Sequence, residues 1–87
     1  MTDEMLRVFL GRVIRQRRRA LDLTIAELGD KSGIHFTQVG DIERGRRSFR
    51  LATLFAIAHA LDLTATQVIE RVEIAALIAG QENEDEQ

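Results

Sequence analysis

The sequence predicts an all-α fold, a compact bundle of five helices, and three observations carry that expectation. Apolar residues recur at about the 3.6-residue helical period in successive stretches along the chain. The 87 residues contain no proline and no Gly/Ser-rich linker, so no strong breaker interrupts those stretches. Helix starts and stops are also marked: Thr-x-x-Glu/Gln sequences open helices at Thr24 and Thr64, and Gly33, Gly45 and Gly80 stand where helices should end.

The first helix is expected from about Glu4 to Leu21, with Leu6, Phe9, Leu10, Val13, Ile14 and Leu21 on its inner face. Arg7, Arg12, Arg15, Arg17, Arg18 and Arg19 fall between them and give it a basic outer face. Thr24-Ile25-Ala26-Glu27 has the form of a capping box, in which the Thr24 hydroxyl accepts from the Glu27 amide while Glu27 reaches back. The helix it opens, about 25–32, stops at Gly33, a residue suited to the left-handed turn position. With His35 as N-cap, Ile34 and Val39 form a hydrophobic staple at the head of a third helix, about 36–44. Val39 and Ile42 face the core; Thr37, Gly40, Asp41 and Arg44 share the opposite face, with Phe36 beside them. After Gly45 comes the basic loop Arg46-Arg47-Ser48-Phe49-Arg50, then a nearly all-apolar fourth helix from Leu51 to Leu61. A second capping box, Thr64-Ala65-Thr66-Gln67, opens a fifth helix, about 65–79, and Gly80 is expected to stop it. Residues 1–80 read as one domain. Residues 81–87 are acidic and lack apolar side chains, so that tail is expected to be disordered. No internal repeat is evident.

Composition excludes several classes. The absence of cysteine removes disulfides and thiolate metal sites, and His35 and His59 are too far apart in sequence to suggest a structural zinc. No cofactor or metal is expected, and no phosphate loop, Cys, Tyr or His–carboxylate motif suggests an enzyme. No apolar run approaches the roughly 18–20 residues that span a bilayer, and no signal-peptide core opens the chain, so a cytoplasmic protein without membrane association is expected. The formal net charge of −2 hides an asymmetry. Residues 1–50 hold eleven Lys/Arg against seven Asp/Glu; residues 51–87 hold one against seven. The basic half contains the pair of short helices, the geometry needed to lay a helix in a DNA major groove.

Taken together, Leu10-Gly11, Ile14, Arg18, Leu23-Thr24, Glu27-Leu28, Ser32-Gly33-Ile34, Ile42-Glu43-Arg44-Gly45, Leu54, Ile57-Ala58 and Ala60-Leu61 resemble the Cro and phage-repressor (XRE) helix-turn-helix family. The likeness covers about Leu10 to Ile69. His35-x-Thr37 followed by Ile42-Glu43-Arg44-Gly45-Arg46-Arg47 also resembles the small dimeric regulators that include restriction–modification controller proteins. The resemblance implies a lambda-repressor-like DNA-binding domain and a transcriptional regulator that binds double-stranded DNA, as a homodimer, at a (pseudo)palindromic operator. It places His35 at the cap of the recognition helix and Phe36, Thr37 and Asp41 toward base edges, with His35 counted among the readers. It sets Gln38 and the loop after Gly45, with Arg46, Arg47 and Arg50, against phosphates. It pairs Arg18 with Glu43 to tie the first helix to the third.

Several positions depart from the family pattern. Ile25 stands where a polar DNA contact is common, and Gly29 replaces a common alanine, weakening the second helix. Phe36 replaces a polar reader; touching a thymine methyl and burial against a neighbour are equally compatible with it. Gly40 is expected to let the helix backbone approach the groove. Asp41 is repelled by phosphates and has the cytosine amino group as its one favourable base partner. Arg50 replaces a capping serine. The fifth helix carries more apolar surface than one stripe, and Val72, Ile74, Leu77 and Ile78 are assigned to a dimer interface. Two alternatives stay open: an antitoxin-type module with a protein partner, and a protein-interaction domain with degenerate DNA binding.

Overall fold

The computed structural model describes residues 1–48 and 50–85. Among them are five helices and no strand: α1 (Asp3–Ala20), α2 (Ile25–Ser32), α3 (Phe36–Glu43), α4 (Leu51–Ala60) and α5 (Ala65–Asp85). Thr2 caps α1, its hydroxyl accepting from the Met5 amide at 3.1 Å. Both predicted capping boxes are present. Glu27 N–H donates to Thr24 Oγ1 and Thr24 N–H to Glu27 Oε1, each at 3.0 Å; the Thr64–Gln67 box closes at 3.1 and 2.9 Å.

The apolar stripes meet in two adjoining clusters. Ile14, Leu28, Val39, Ile42, Ile57 and Leu61 hold α1 to α4 together, and each is essentially fully buried. Phe9, Val13, Leu54, Ala58, Leu63, Ala65, Val68 and Val72 seat α5 against α1 and α4, with Leu10 touching both clusters. Ile25 is half-buried against the first cluster, which explains an apolar residue at the head of α2.

Two expectations change. The helix does not stop at Gly80: unlike Gly33 and Gly45, at φ +73° and +71°, Gly80 is not left-handed, and α5 continues to Asp85. A glycine inside a helix costs only about 1 kcal/mol against alanine, and Gln81, Glu82 and Glu84 beyond it are good helix formers. Of the tail expected to be disordered, residues 81–85 are therefore helical, and residues 86–87 lie outside the described part. A short repeat is also present. Ala20-Leu-Asp-Leu-Thr24 and Ala60-Leu-Asp-Leu-Thr64 are the same pentapeptide, and both end one helix and open the next. In each, the aspartate adopts the left-handed conformation, φ +56° at Asp22 and +58° at Asp62. The amides after them return alike: Leu23 to the Arg18 carbonyl and Leu63 to Ala58, at 3.1 and 2.9 Å. This is the Schellman closure, with aspartate tolerated where glycine is commoner.

Candidate nucleic-acid interface

The turn between α2 and α3 is short because its glycines permit it. The Gly33 and Ile34 amides both donate to the Gly29 carbonyl, at 2.9 and 3.2 Å, and Ser32 Oγ closes the last turn on the Leu28 carbonyl at 2.7 Å. A β-carbon at Gly29 would stand 2.8 Å from the Ile34 carbonyl oxygen. Gly29 is therefore more than a weakened helix position: it lets α3 leave α2 at close range. His35 caps α3, its Nδ1 accepting from the Thr37 amide at 3.2 Å. That contact requires the unprotonated Nδ1 and leaves Nε2 for any further partner.

The other face of α3 is fixed from within. Val39 and Ile42 are buried, and Arg18 grips the far end of the helix. Its Nε donates to Glu43 Oε2 at 2.7 Å, one terminal nitrogen to Glu43 Oε1 at 2.9 Å, and the other to the Leu23 carbonyl at 2.8 Å. The hydrogen bond to Glu43 raises the already high Arg18 pKa and outweighs desolvation, so the guanidinium stays charged although nearly buried. One side chain thus links α1, the α1–α2 turn and α3. The same junction is tightened by Gly11, where a β-carbon would lie 2.5 Å from the Ile42 carbonyl oxygen and 2.6 Å from that of Glu43. Here α1 meets α3 backbone to backbone.

With its inner face so held, α3 presents Phe36, Thr37 and Arg44 to solvent, with Gln38 and Asp41 half-buried. Phe36 does not bury itself in the bundle. It is 56 % exposed and stacks on the His35 ring, with centroids 4.6 Å apart. One expectation for this face, at Gly40, requires correction, and Asp41 has a partner of its own. Gly40 is buried, because the Arg44 guanidinium lies over it, 3.1–3.2 Å from where a β-carbon would sit. Asp41 does not offer a bare carboxylate, because Arg44 donates to its Oδ1 at 3.1 Å. Arg44 is thus a residue of this face whose part sequence reasoning missed, although its i,i+3 spacing from Asp41 carried the signal.

The loop that follows is anchored before it becomes basic. The Gly45 and Arg46 amides close α3 on the Ile42 and Asp41 carbonyls, each at 3.0 Å, and Gly45 rests against Val8 of α1. Arg46, Arg47 and Arg50 are all exposed. Arg50 is the N-cap of α4 but makes no side-chain capping bond, so its guanidinium is not engaged there. On α5, Ile74, Leu77 and Ile78 are exposed, at 48, 66 and 51 %. Val72, assigned with them to a dimer interface, is only 3 % exposed and belongs to this chain's own core. The α5 stripe that faces inward runs through Val68, Val72 and Ala75; Val72 was placed on the wrong side.

Two short helices joined at a glycine turn, the second with its outer face in solvent and a basic loop at its end, define a helix-turn-helix protein. The chain belongs to the helix-turn-helix family HTH_3, whose model matches residues 14–68. It is 32 % identical over 62 residues to the control protein C.SmaI of Serratia marcescens, a match covering 71 % of this chain and 74 % of that one. Among solved structures, the clp gene regulator ClgR of Corynebacterium glutamicum superposes with a TM-score of 0.83 at 29 % identity, over 93 % of this chain and 87 % of that one. The restriction-modification controller protein C.AhdI of Aeromonas hydrophila gives 0.70 at 32 % identity, over 71 % and 94 %. Membership makes this chain a DNA-binding transcriptional regulator of the XRE type, in a family of regulators and not of enzymes. Among the described residues, no single helix is long and apolar enough to cross a membrane.

Proposed function

We propose that the protein reads a specific DNA sequence as a homodimer bound to a (pseudo)palindromic operator. The observation that carries this reading is the split character of α3, locked on one face by Val39, Ile42 and Glu43 and open on the other at Phe36 and Thr37. Phe36, Thr37 and His35 Nε2 read base edges, with Phe36 suited to a thymine methyl group. Asp41 and Arg44 act as a unit: releasing Asp41 frees both a carboxylate for a cytosine amino group and a guanidinium for a guanine or a phosphate. Gln38, Arg46, Arg47 and Arg50, together with the N-terminal amides of α2, hold phosphates and set the register.

One such module spans too few base pairs for operator-level affinity, and two-fold symmetry doubles the contact. The exposed stripe of Ile74, Leu77 and Ile78 supplies the apolar surface that a second copy would cover. Selection from a random double-stranded DNA pool, at low and moderate salt, tests the whole reading. The expected winners carry inverted half-sites about one helical turn apart. Enrichment of isolated half-sites would remove the dimer from the reading, and no enrichment at either salt would remove sequence-specific recognition.

A further inference from the structure

The basic outer face of α1 divides in the structure, and part of it is left without a task. Arg7 pairs with Asp3 at 2.6 Å, Arg17 Nε donates to the Leu61 carbonyl at 2.9 Å, and Arg18 holds Glu43. Arg12, Arg15 and Arg19 are exposed and, among the described residues, have no ion pair. Asp3 and Glu43 are taken by other arginines. Glu4 stands about two turns before Arg12, and Asp22 lies past the end of the helix. The Arg12 guanidinium lies over the Phe9 ring, 5.9 Å from its centroid, a contact that does not neutralise it.

These arginines lie on one line. At about 100° per residue, positions 12, 15 and 19 fall within about 60° of one another and span about 10 Å of helix. Val8, one turn before Arg12, is on the same line, and it is the residue against which Gly45 rests. The loop carrying Arg46 and Arg47 therefore starts on α1 where the line of arginines begins, and both sets of cations are exposed. Measured from Val8 to Arg19, the line is about 16 Å long. Arg71 of α5, also exposed, stands across a groove from Arg12, and among the described residues no acid lines that groove.

A bare cationic line fits a polyanion. One strand of duplex DNA carries a phosphate for about every 3.4 Å of axis, dense enough for each guanidinium to find one. Between positions 12 and 19 no large apolar side chain is exposed, so the line lacks the anchor that a protein partner would use. We propose that the DNA backbone held by the loop after α3 continues along α1, where Arg12, Arg15 and Arg19 bind phosphates. This rests on the reading of that loop as a phosphate clamp and extends it with a second contact surface. Contacts there add affinity and salt dependence without choosing among bases.

The test follows binding of the full chain to a long duplex of random sequence through a salt series, by fluorescence anisotropy. A random duplex makes the result independent of whether an operator is found. Three variants are compared with wild type: Arg12→Gln/Arg15→Gln/Arg19→Gln, the same three positions changed to lysine, and Arg46→Gln/Arg47→Gln. Glutamine and lysine are both good helix formers, the changed positions are exposed, and thermal unfolding checks that each variant is folded. The glutamine variant of α1 should flatten the slope of log K against log salt by about 0.9 for each arginine engaged, about 2.7 for all three. The lysine variant should keep the wild-type slope, because a phosphate contact needs the charge more than the guanidinium fork. If the α1 glutamine variant keeps its slope while the loop variant loses some, the α1 surface is wrong and the loop clamp stands. An α1 loss that lysine does not restore would also overturn it, as an effect on structure and not on charge. An unchanged slope on DNA with weakened binding to polyglutamate would give the line to an acidic protein instead. A wild type that binds no duplex at low salt would overturn the loop clamp and the α1 surface together.

Discussion

The pentapeptide Ala-Leu-Asp-Leu-Thr links α1 to α2 and again links α4 to α5, and the two copies have the same backbone course. Each also has a carbonyl bound by an arginine of α1: Arg18 reaches the Leu23 carbonyl at 2.8 Å, and Arg17 Nε reaches that of Leu61 at 2.9 Å. The difference lies in what each arginine does next. Arg18 continues to Glu43 at the end of α3, so the first turn is wired to the second helix of the helix-turn-helix. Among the described residues, Arg17 has no ion pair, and the second turn feeds α5 into the core. Identical local chemistry thus builds identical turns, and only the long-range partner decides whether a turn positions a functional surface or closes a bundle.

The strongest way to break that distinction is to remove the two arginines in turn. Arg18→Ala leaves Glu43, whose side chain is 5 % exposed, as an unpaired buried charge, and should cost about 3 kcal/mol. Arg17→Ala loses one hydrogen bond from a charged donor and should cost about 1.5 kcal/mol. Urea denaturation reads both, and equal losses would mean that the Glu43 link contributes nothing special.

A smaller effect sharpens the likeness instead. Thr24→Ala and Thr64→Ala each remove one cap and should each cost about 1 kcal/mol, equal within error. A clear inequality would show that the two boxes are not the same device.

The subtlest separation is by pH, since the first box contains Glu27 and the second Gln67. The Thr24 backbone N–H, and then its hydroxyl, hold the Glu27 carboxyl below its ordinary range. A carboxyl lowered in the folded state stabilises above its unfolded pKa and loses that contribution as pH falls through the folded value. The penalty of Glu27→Gln should therefore shrink from neutral pH to about pH 3, while that of Thr64→Ala stays constant. Denaturation at the two pH values checks this. A constant penalty for Glu27→Gln would show that its charge is irrelevant to the cap.

Legibility in the sequence divides along the same line. Capping boxes, the glycine closures at Gly33 and Gly45 and the buried face of α3 depend on neighbours within a few residues, and they were readable. The Arg18–Glu43 pair was readable only through family resemblance, because 25 residues separate its members. The close backbone contact at Gly11 was not readable, since it depends on where α3 ends relative to α1. Val72 was misassigned because α5 has two apolar stripes and only the position of α1 decides which one turns inward. Gly40 looked open for want of a rotamer: nothing local says that Arg44 folds back over it. The stop expected at Gly80 failed because glycine ends a helix when the chain also turns left-handed there, and here it does not.

The backbone contact between Gly11 and the end of α3 bears on how this reader can change. α3 is held by main chain, by Glu43 and by two buried aliphatic residues, while the side chains of Phe36 and Thr37 stand exposed on its other face. Substitutions there should combine with substitutions in the core additively, without either altering the other's effect. The recognition surface is then a replaceable plate bolted to a fixed mount. On the reading proposed above, new base preferences arise at positions 36 and 37 at little cost to the fold, whereas a single methyl group at Gly11 would displace α3 as a whole.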